Sequence, residues 1–386
     1  MRHDLTLLVV MAMAVAPVAA MAPPAAEDDW SSFRGDAQLT GVASGPLPEG
    51  MEVLWTFEAG EGIESTAAVV DGMVYVGGLD GVLYALDFAT GEEVWRYQAG
   101  DEIKSSPSVR DGVVYVGDES GLFHAVGATD GKKIWTFTTD AGIIASASFA
   151  GGGVIFGSQD NFLYCVKPQD GSLRWKVETD SFVYATAAIA QVKGREVALV
   201  AGCDGLLRAI DVKNGSQVSA VAIDAYVGAS PVVGNGRAYF GTFENNVLAV
   251  DLAAGEVVWR YANPERQFPF YSSAAYTPQR LVIGGRDKLV HGLDPATGKV
   301  AWTWSAGSRV DSSPVIAGDV AWLGTGSGDV VGLDINDGHK VWSYPTGSSI
   351  TASPAVSRGR LVIGTLDGML YCFGAKAAVR REKTDG

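Results

Sequence analysis

The chain has 386 residues, of which 49 are glycine and 10 tryptophan, with 47% hydrophobic and only 19% charged residues. That balance is rich in turn formers and packing residues and poor in helix-surface Lys and Glu, which points to an all-β protein. The formal charge of −15 argues against nucleic acid or an anionic membrane as principal partner, because both need a positive surface, and the acidic residues lie in turns, as a solvated surface has them.

In chain order, residues 1–20 come first. "MRHDLTLLVVMAMAVAPVAA" has a charged start, an apolar run from Leu5 to Val18 and a small-residue site ending at Ala20, the parts of a secretory signal peptide cleaved before Met21. The apolar run is too short to span a bilayer comfortably. Residues 21–51 form a lead-in, residues 52–374 the body of the fold, and residues 375–386 a tail. One later stretch, Ala141 to Gln159, lacks charge, but its glycines at 151–153 would break a spanning helix. It reads as two buried strands joined by a turn, so no transmembrane segment is expected in the mature chain.

From residue 52 onward the chain repeats itself. Tryptophans stand at 55, 95, 135, 175, 259, 302 and 342, and turn glycines at 91, 131, 171, 215, 255, 298 and 338. Both series keep a period of 40 residues or slightly more, with one Trp missing where Val218 and Ser219 stand. Each period carries four strand-like pieces separated by turns such as Asp71-Gly72 and Asp80-Gly81, a strong hairpin signal because primed turns need positive φ. Four antiparallel strands per 40 residues is one propeller blade. The last period, Thr351 to Gly374, lacks a Trp strand, whereas "EVLWTF" at Glu52 to Phe57 is a Trp strand with no blade before it. The expectation is an eight-bladed β-propeller of four-stranded antiparallel blades, closed by the N-terminal strand completing the last blade, which removes exposed edges.

The repeat alignment also sorts the chemically capable residues. His124 and His291 occupy the slot of Tyr84, Tyr164 and Tyr371, in blades two and six, four apart in the ring, and cannot share a metal ion. Cys165 and Cys372 share the slot of Ala85 in blades three and eight, too far apart for a disulfide; with Cys203 the odd count gives no framework. The repeated Trp fills the wedge between sheets. No nucleophile elbow, phosphate loop, zinc motif or other catalytic set appears, and no catalytic, cofactor-binding or metal-binding residue is assigned.

Function is expected where the repeats disagree. Two residues before each "SP"-like pair, the set reads Glu64, Lys104, Ile144, Tyr184, Gly228, Tyr271, Asp311 and Thr351. Glu64, Lys104 and Asp311 are placed at the channel mouth, either as a site for a small polar ligand or cation or as a hydrated rim. Two insertions break the rhythm. One, Ala190 to Gly202, lengthens a turn in blade four. The other, Pro264 to Phe270 in "YANPERQFPFYSSA", presents Arg266, Phe268, Phe270 and Tyr271 on one connection, a composition typical of interface hot spots; the alternative is that Phe268 and Phe270 fold back over the blade edges.

"LYALDFATGEEVW", "VLAVDLAAGEVVW" and "VVGLDINDGHKVW" resemble the tryptophan-docking repeat of the pyrroloquinoline-quinone-like propellers, and the likeness covers Trp30 to Gly374. One branch of that superfamily, the quinoprotein dehydrogenases, implies a calcium-bound quinone on the axis, an Asp base and a vicinal Cys-Cys disulfide. The chain has no adjacent cysteines, and no cofactor is expected outside that alternative. The other branch is similar to the BamB family and implies a non-catalytic scaffold that binds envelope or extracellular proteins through loops, as a monomer or a subunit of a complex. Members of that branch are usually lipoproteins. "PVAAMAPP" contains no Cys, so an exported chain, periplasmic or secreted, without a lipid anchor is expected.

Overall fold

A computed structural model describes residues 28–376; the signal-peptide reading at 1–20 lies outside the described residues. Short runs of alternating and β-branched residues, broken by turn glycines at positive φ, fold into thirty-two strands in eight antiparallel sheets of four. Strand β1 (Glu52–Glu58) leads into blade one, formed by β2 (Ala68–Val70), β3 (Met73–Gly77), β4 (Val82–Asp87) and β5 (Glu93–Gln98). Blades two to seven repeat this order, from inner strands Ser108–Arg110, Ser148–Ala150, Ala188–Val192, Val232–Gly234, Ala275–Tyr276 and Val315–Ala317 outward. Blade eight has Ala355–Ser357, Arg360–Gly364 and Met369–Gly374, and β1 pairs along the last of these from Glu52 opposite Gly374 to Glu58 opposite Met369. The ring is thus closed by the two ends of the chain, as the strand count implied. Among the described residues no helix is long and apolar enough to cross a membrane.

The blades lock together through three repeated contacts. Each outer-strand indole lies flat against the turn glycine of the next blade, where a Cβ on Gly91 would come 2.6 Å from Trp55 and one on Gly298 2.6 Å from Trp259. The same indoles donate to a carbonyl three residues before that glycine, Trp55 Nε1 to Phe88 O at 3.0 Å and Trp302 Nε1 to Ile335 O at 2.8 Å. Where no turn follows Trp342, the lead-in supplies the acceptor, Met51 O at 3.3 Å. In blade four the slot holds Ser219, opposite Ala209 in the register that pairs Trp95 with Ala85, and Gly255 faces only Val221 at 3.9 Å.

The second contact lies nearer the axis, where glycines ending the second strands accept a branched side chain of the neighbouring blade, as Gly77 does Ile103. The third is a belt of buried hydroxyls, Thr66, Ser106, Ser146, Thr186, Ser230, Ser273, Ser313 and Ser353. At seven of the eight junctions the belt residue's backbone N–H donates to the hydroxyl of the next blade at 2.9–3.0 Å. The blade-four insertion is absorbed differently from the expectation of a longer turn: the hairpin Ala188–Val192 and Arg195–Ala201 keeps a tight turn at Lys193-Gly194 and lengthens both strands.

The lead-in crosses one end of the axis. Its carbonyls cap inner-strand N–H groups of six blades: Trp30 O takes Val69 N, Ser31 O Val109 N, Ala37 O Ile189 N, Gln38 O Val233 N, Thr40 O Tyr276 N and Gly41 O Ile316 N. Inner strands are otherwise open edges, and the lead-in satisfies them with its own backbone. Blade eight is reached through Ser357 Oγ, which donates to Asp28 O at 2.7 Å.

Candidate binding face

Opposite the lead-in, the connections that enter each blade and the turns between its second and third strands ring the open mouth. All eight residues two before the hydroxyl belt are at least partly exposed there. Of the three charged ones, the structure does not join Glu64, Lys104 and Asp311 directly. Lys104 Nζ is held by Glu102 at 2.8 Å and Glu119 at 2.9 Å. Asp311 is clasped by Arg286 through Nε at 2.8 Å and Nη2 at 3.0 Å, with Arg309 at 3.5 Å, the bidentate geometry in which a carboxylate is held most firmly.

Glu64 makes no hydrogen bond or ion pair among the described residues, but it feels the others. Burial raises its pKa, Lys104 opposes, and Glu102, Glu119 and Asp311 add to the rise. Burial works against the charge of Lys104, yet its hydrogen bonds to Glu102 and Glu119 outweigh this and raise its pKa. The bond to Asp311 raises Arg286. The charges of Lys104 and Asp311 are therefore compensated within the rim, whereas Glu64 keeps both carboxylate oxygens without a hydrogen-bond partner among the described residues.

The compensating residues Glu119 and Arg286 escape a reading built on one variable position per blade. They belong to a second variable ring, which runs Leu79, Glu119, Gln159, Cys203, Phe243, Arg286, Gly326 and Leu366. Seven of the eight, all but Cys203, donate their backbone N–H to the entering connections, as Glu119 N does to Glu102 O and Arg286 N to Pro269 O. Gln159 extends the acidic sector by donating to Glu119 Oε2 at 3.0 Å.

The other sector of the mouth is aromatic. Tyr271 stacks on Phe243 with centroids 4.6 Å apart, and the Arg286 guanidinium lies 3.6 Å from the Tyr271 ring. Phe182 packs on Tyr184 at 5.5 Å, and Phe182, Tyr226, Phe268 and Tyr271 are all exposed. Burial raises the Tyr184 hydroxyl, followed by Cys203, Glu119 and Tyr271 across the opening.

The loop 264–270 is corrected in one residue. Phe268 is 51% exposed, but Phe270 is only 1% exposed and packs against His291 at 5.3 Å in the core. Phe270 is thus not a surface contact. It sits one residue before Tyr271, in the slot of Ile63, Ile103 and Val310, which the repeat alignment offered as a signal. Arg266 is tied down by donating to Asp287 O at 3.0 Å.

His124 and His291 are buried and hydrogen-bonded, Cys165 and Cys372 are buried in the strand slots the repeat gives them, and His339 is exposed beside Asp337. His124 bridges Asp118 at 2.9 Å and Tyr97 at 3.0 Å, and His291 bridges Asp287 at 3.1 Å and Tyr261 at 3.0 Å, while Tyr164 in the same slot donates to Asp160. Cys165, Cys203 and Cys372 are free thiols in blades three, four and eight.

The profile of a family described as the outer membrane protein assembly factor BamB matches residues 48–202 and 203–385. The BamB structure from Moraxella catarrhalis is similar over 84% of this chain and 100% of that one, with TM-score 0.72 and 18% identity. A quinohemoprotein alcohol dehydrogenase from Comamonas testosteroni matches over 91% of this chain and 81% of its own, with TM-score 0.76 and 15% identity. A europium-containing methanol dehydrogenase matches over 91% and 98%, with TM-score 0.75 and 12% identity. No curated protein matches the chain in sequence. At these identities the structural likenesses speak for the shared fold.

Proposed function

Since the chain belongs to the family of the outer membrane protein assembly factor BamB, we propose that it is an exported, non-catalytic scaffold that binds envelope or extracellular proteins at its aromatic mouth. The observation that carries this reading is the exposed set Phe182, Tyr226, Phe268 and Tyr271, with Arg286 stacked on the last. Exposed aromatics beside Arg on well-anchored loops are the composition of binding hot spots, and the fold supplies no other reason to leave four of them in water.

The donor set also disfavours a calcium-bound quinone on the axis. Asp311 already gives both oxygens to Arg286, Glu64 stands alone, and the three thiols lie in separate blades, so no vicinal pair can pack on a cofactor.

The test is affinity capture from an envelope extract of the source cell. Phe268→Ala with Tyr226→Ala should abolish recovery of a captured partner, while the perimeter pair Val94→Ser with Ile134→Ser should leave it intact. Equal capture by both double variants would remove the mouth from the interface. Stoichiometric uptake of pyrroloquinoline quinone with calcium, followed by alcohol or sugar oxidation, would overturn the scaffold reading itself.

A further inference from the structure

Behind the lead-in the axis holds a buried charge that the protein does not neutralise. Arg34 sits at φ 66° in the lead-in, and its side chain is among the largest that are fully buried, at 1% exposure. Its flanks hang on blades two and four through Ser31 and Ala37, while its own carbonyl accepts from Gly41, which hangs on blade seven. Residue 34 therefore lies over the axis, between opposite sectors of the ring. From there Nη2 donates to Ala274 O of blade six at 2.8 Å.

The rest of the guanidinium has nothing to bond. Nε and Nη1 are buried without a partner. No carboxylate pairs with Arg34 among the described residues. Asp36, whose charge acts on it, accepts instead from Thr40 N at 3.0 Å and from the Thr40 hydroxyl. Burial pushes Arg34 down to about 9, with Asp36 alone opposing. A cation taken out of water without a counter-charge costs several kcal/mol, and Gly41 makes the cost deliberate in the fold, since any Cβ there would lie 2.0 Å from Nη2.

The surroundings supply further donors. Ala274, the one acceptor of Arg34, follows belt residue Ser273. The belt hydroxyls from Ser106 to Ser353 each accept an N–H, which leaves their own protons to turn elsewhere. A buried guanidinium with open N–H groups and no paired carboxylate is the complement of an anion.

We propose that the closed end of the axis is a binding site for a small anion, halide or oxyanion, held by Nε and Nη1 of Arg34 with belt hydroxyls as additional donors. The site lies at the opposite end of the axis from the aromatic mouth and does not depend on what that mouth binds. Its anion completes the lead-in closure by neutralising the residue at its centre.

Crystals of the full chain soaked in sodium bromide test this directly. An anomalous peak in hydrogen-bond contact with Arg34 Nε or Nη1 is expected; only ordered water there would overturn the proposal. In solution, bromide or phosphate is exchanged for bulky gluconate at constant ionic strength. The unfolding midpoint should climb with the logarithm of small-anion concentration, because a ligand of the native state stabilises it by mass action. Arg34→Gln should abolish that dependence, and an equal slope in wild type and variant would also overturn the proposal. Should the variant fail to fold, the bromide peak in the wild-type crystal decides.

Discussion

A single glycine shows how closely the packing is drawn. Gly91 combines φ 78° with an indole 2.6 Å from where its Cβ would be, whereas Gly255, at φ 72°, faces nothing nearer than 3.9 Å because blade four lacks the Trp. Alanine at either position incurs the left-handed strain of about 1–2 kcal/mol, but only Gly91→Ala must also push the indole aside, an overpacking cost of about 1–3 kcal/mol. Denaturant titration should therefore show Gly91→Ala clearly more destabilised than Gly255→Ala. Titration offers a second residue-scale outcome. Burial alone would raise the buried Asp118 carboxyl, but His124, Ser120 and the N–H groups of Leu122 and Gly100 bond it and lower it to about 2, and Asp287 is lowered in the same setting. A depressed carboxylate contributes stability that is complete above its unfolded pKa near 4 and lost as pH falls toward 2. Asp118→Asn should cost about 2 kcal/mol at neutral pH, and the gap to wild type should shrink between pH 4 and 2. Stability at neutral pH unchanged by the substitution would refute the assignment. The slot of His124 could be read from the repeat. Its partner Asp118 could not, because in other blades the carboxylate stands four residues before the slot, as Asp160 does before Tyr164 and Asp287 before His291, but Asp118 stands six before His124.

At the scale of the element, the Trp and Gly series measured out the blades because each is copied at nearly every turn of the chain. The same arithmetic identified β1 as the missing strand of blade eight, and the pairing of Trp55 with Cys372 shows why: β1 occupies the outer position held elsewhere by β5 and its equivalents. Removing residues 52–57 should leave Met369–Gly374 an open edge and unseat the indole under Gly91. Broadened, earlier unfolding together with oligomers in size exclusion is expected, while a chain trimmed after Gly374 should keep the parent's midpoint. What the spacing could not give was the hairpin of blade four, where added residues extended two strands, since strand length varies without disturbing the turn signals on either side.

The whole molecule has two unlike ends, and only one was legible. The mouth announces itself through side chains that differ from blade to blade. The closed end is made by a segment used once, through backbone carbonyls that no residue pattern reports. Deleting residues 28–43 should therefore be felt at specific places. Amide exchange at Val109, Ile189, Val233 and Ile316 should rise sharply, because their caps are gone, whereas Phe149 in blade three, which has no lead-in bond, should exchange as before. Uniform change across all eight inner strands would mean that the segment acts by general stability rather than by capping.

The pairing of Glu52 with Gly374 also sets a timetable. Nearly the whole chain must be made before its first strand finds a partner, a contact of very high sequence separation and so a slow one. Until then "EVLWTFE" is an unpaired apolar strand, prone to joining the edge of another copy. Blades one to seven have all their strands from contiguous sequence and can fold as they emerge, so the nascent protein would pass through an open, seven-bladed arc with one sticky end at its start. The vulnerable stage of this molecule is thus the moment before its last six residues of strand arrive, and a permuted chain that begins at residue 65 and ends with β1, joined after Gly374, would not have to wait for it.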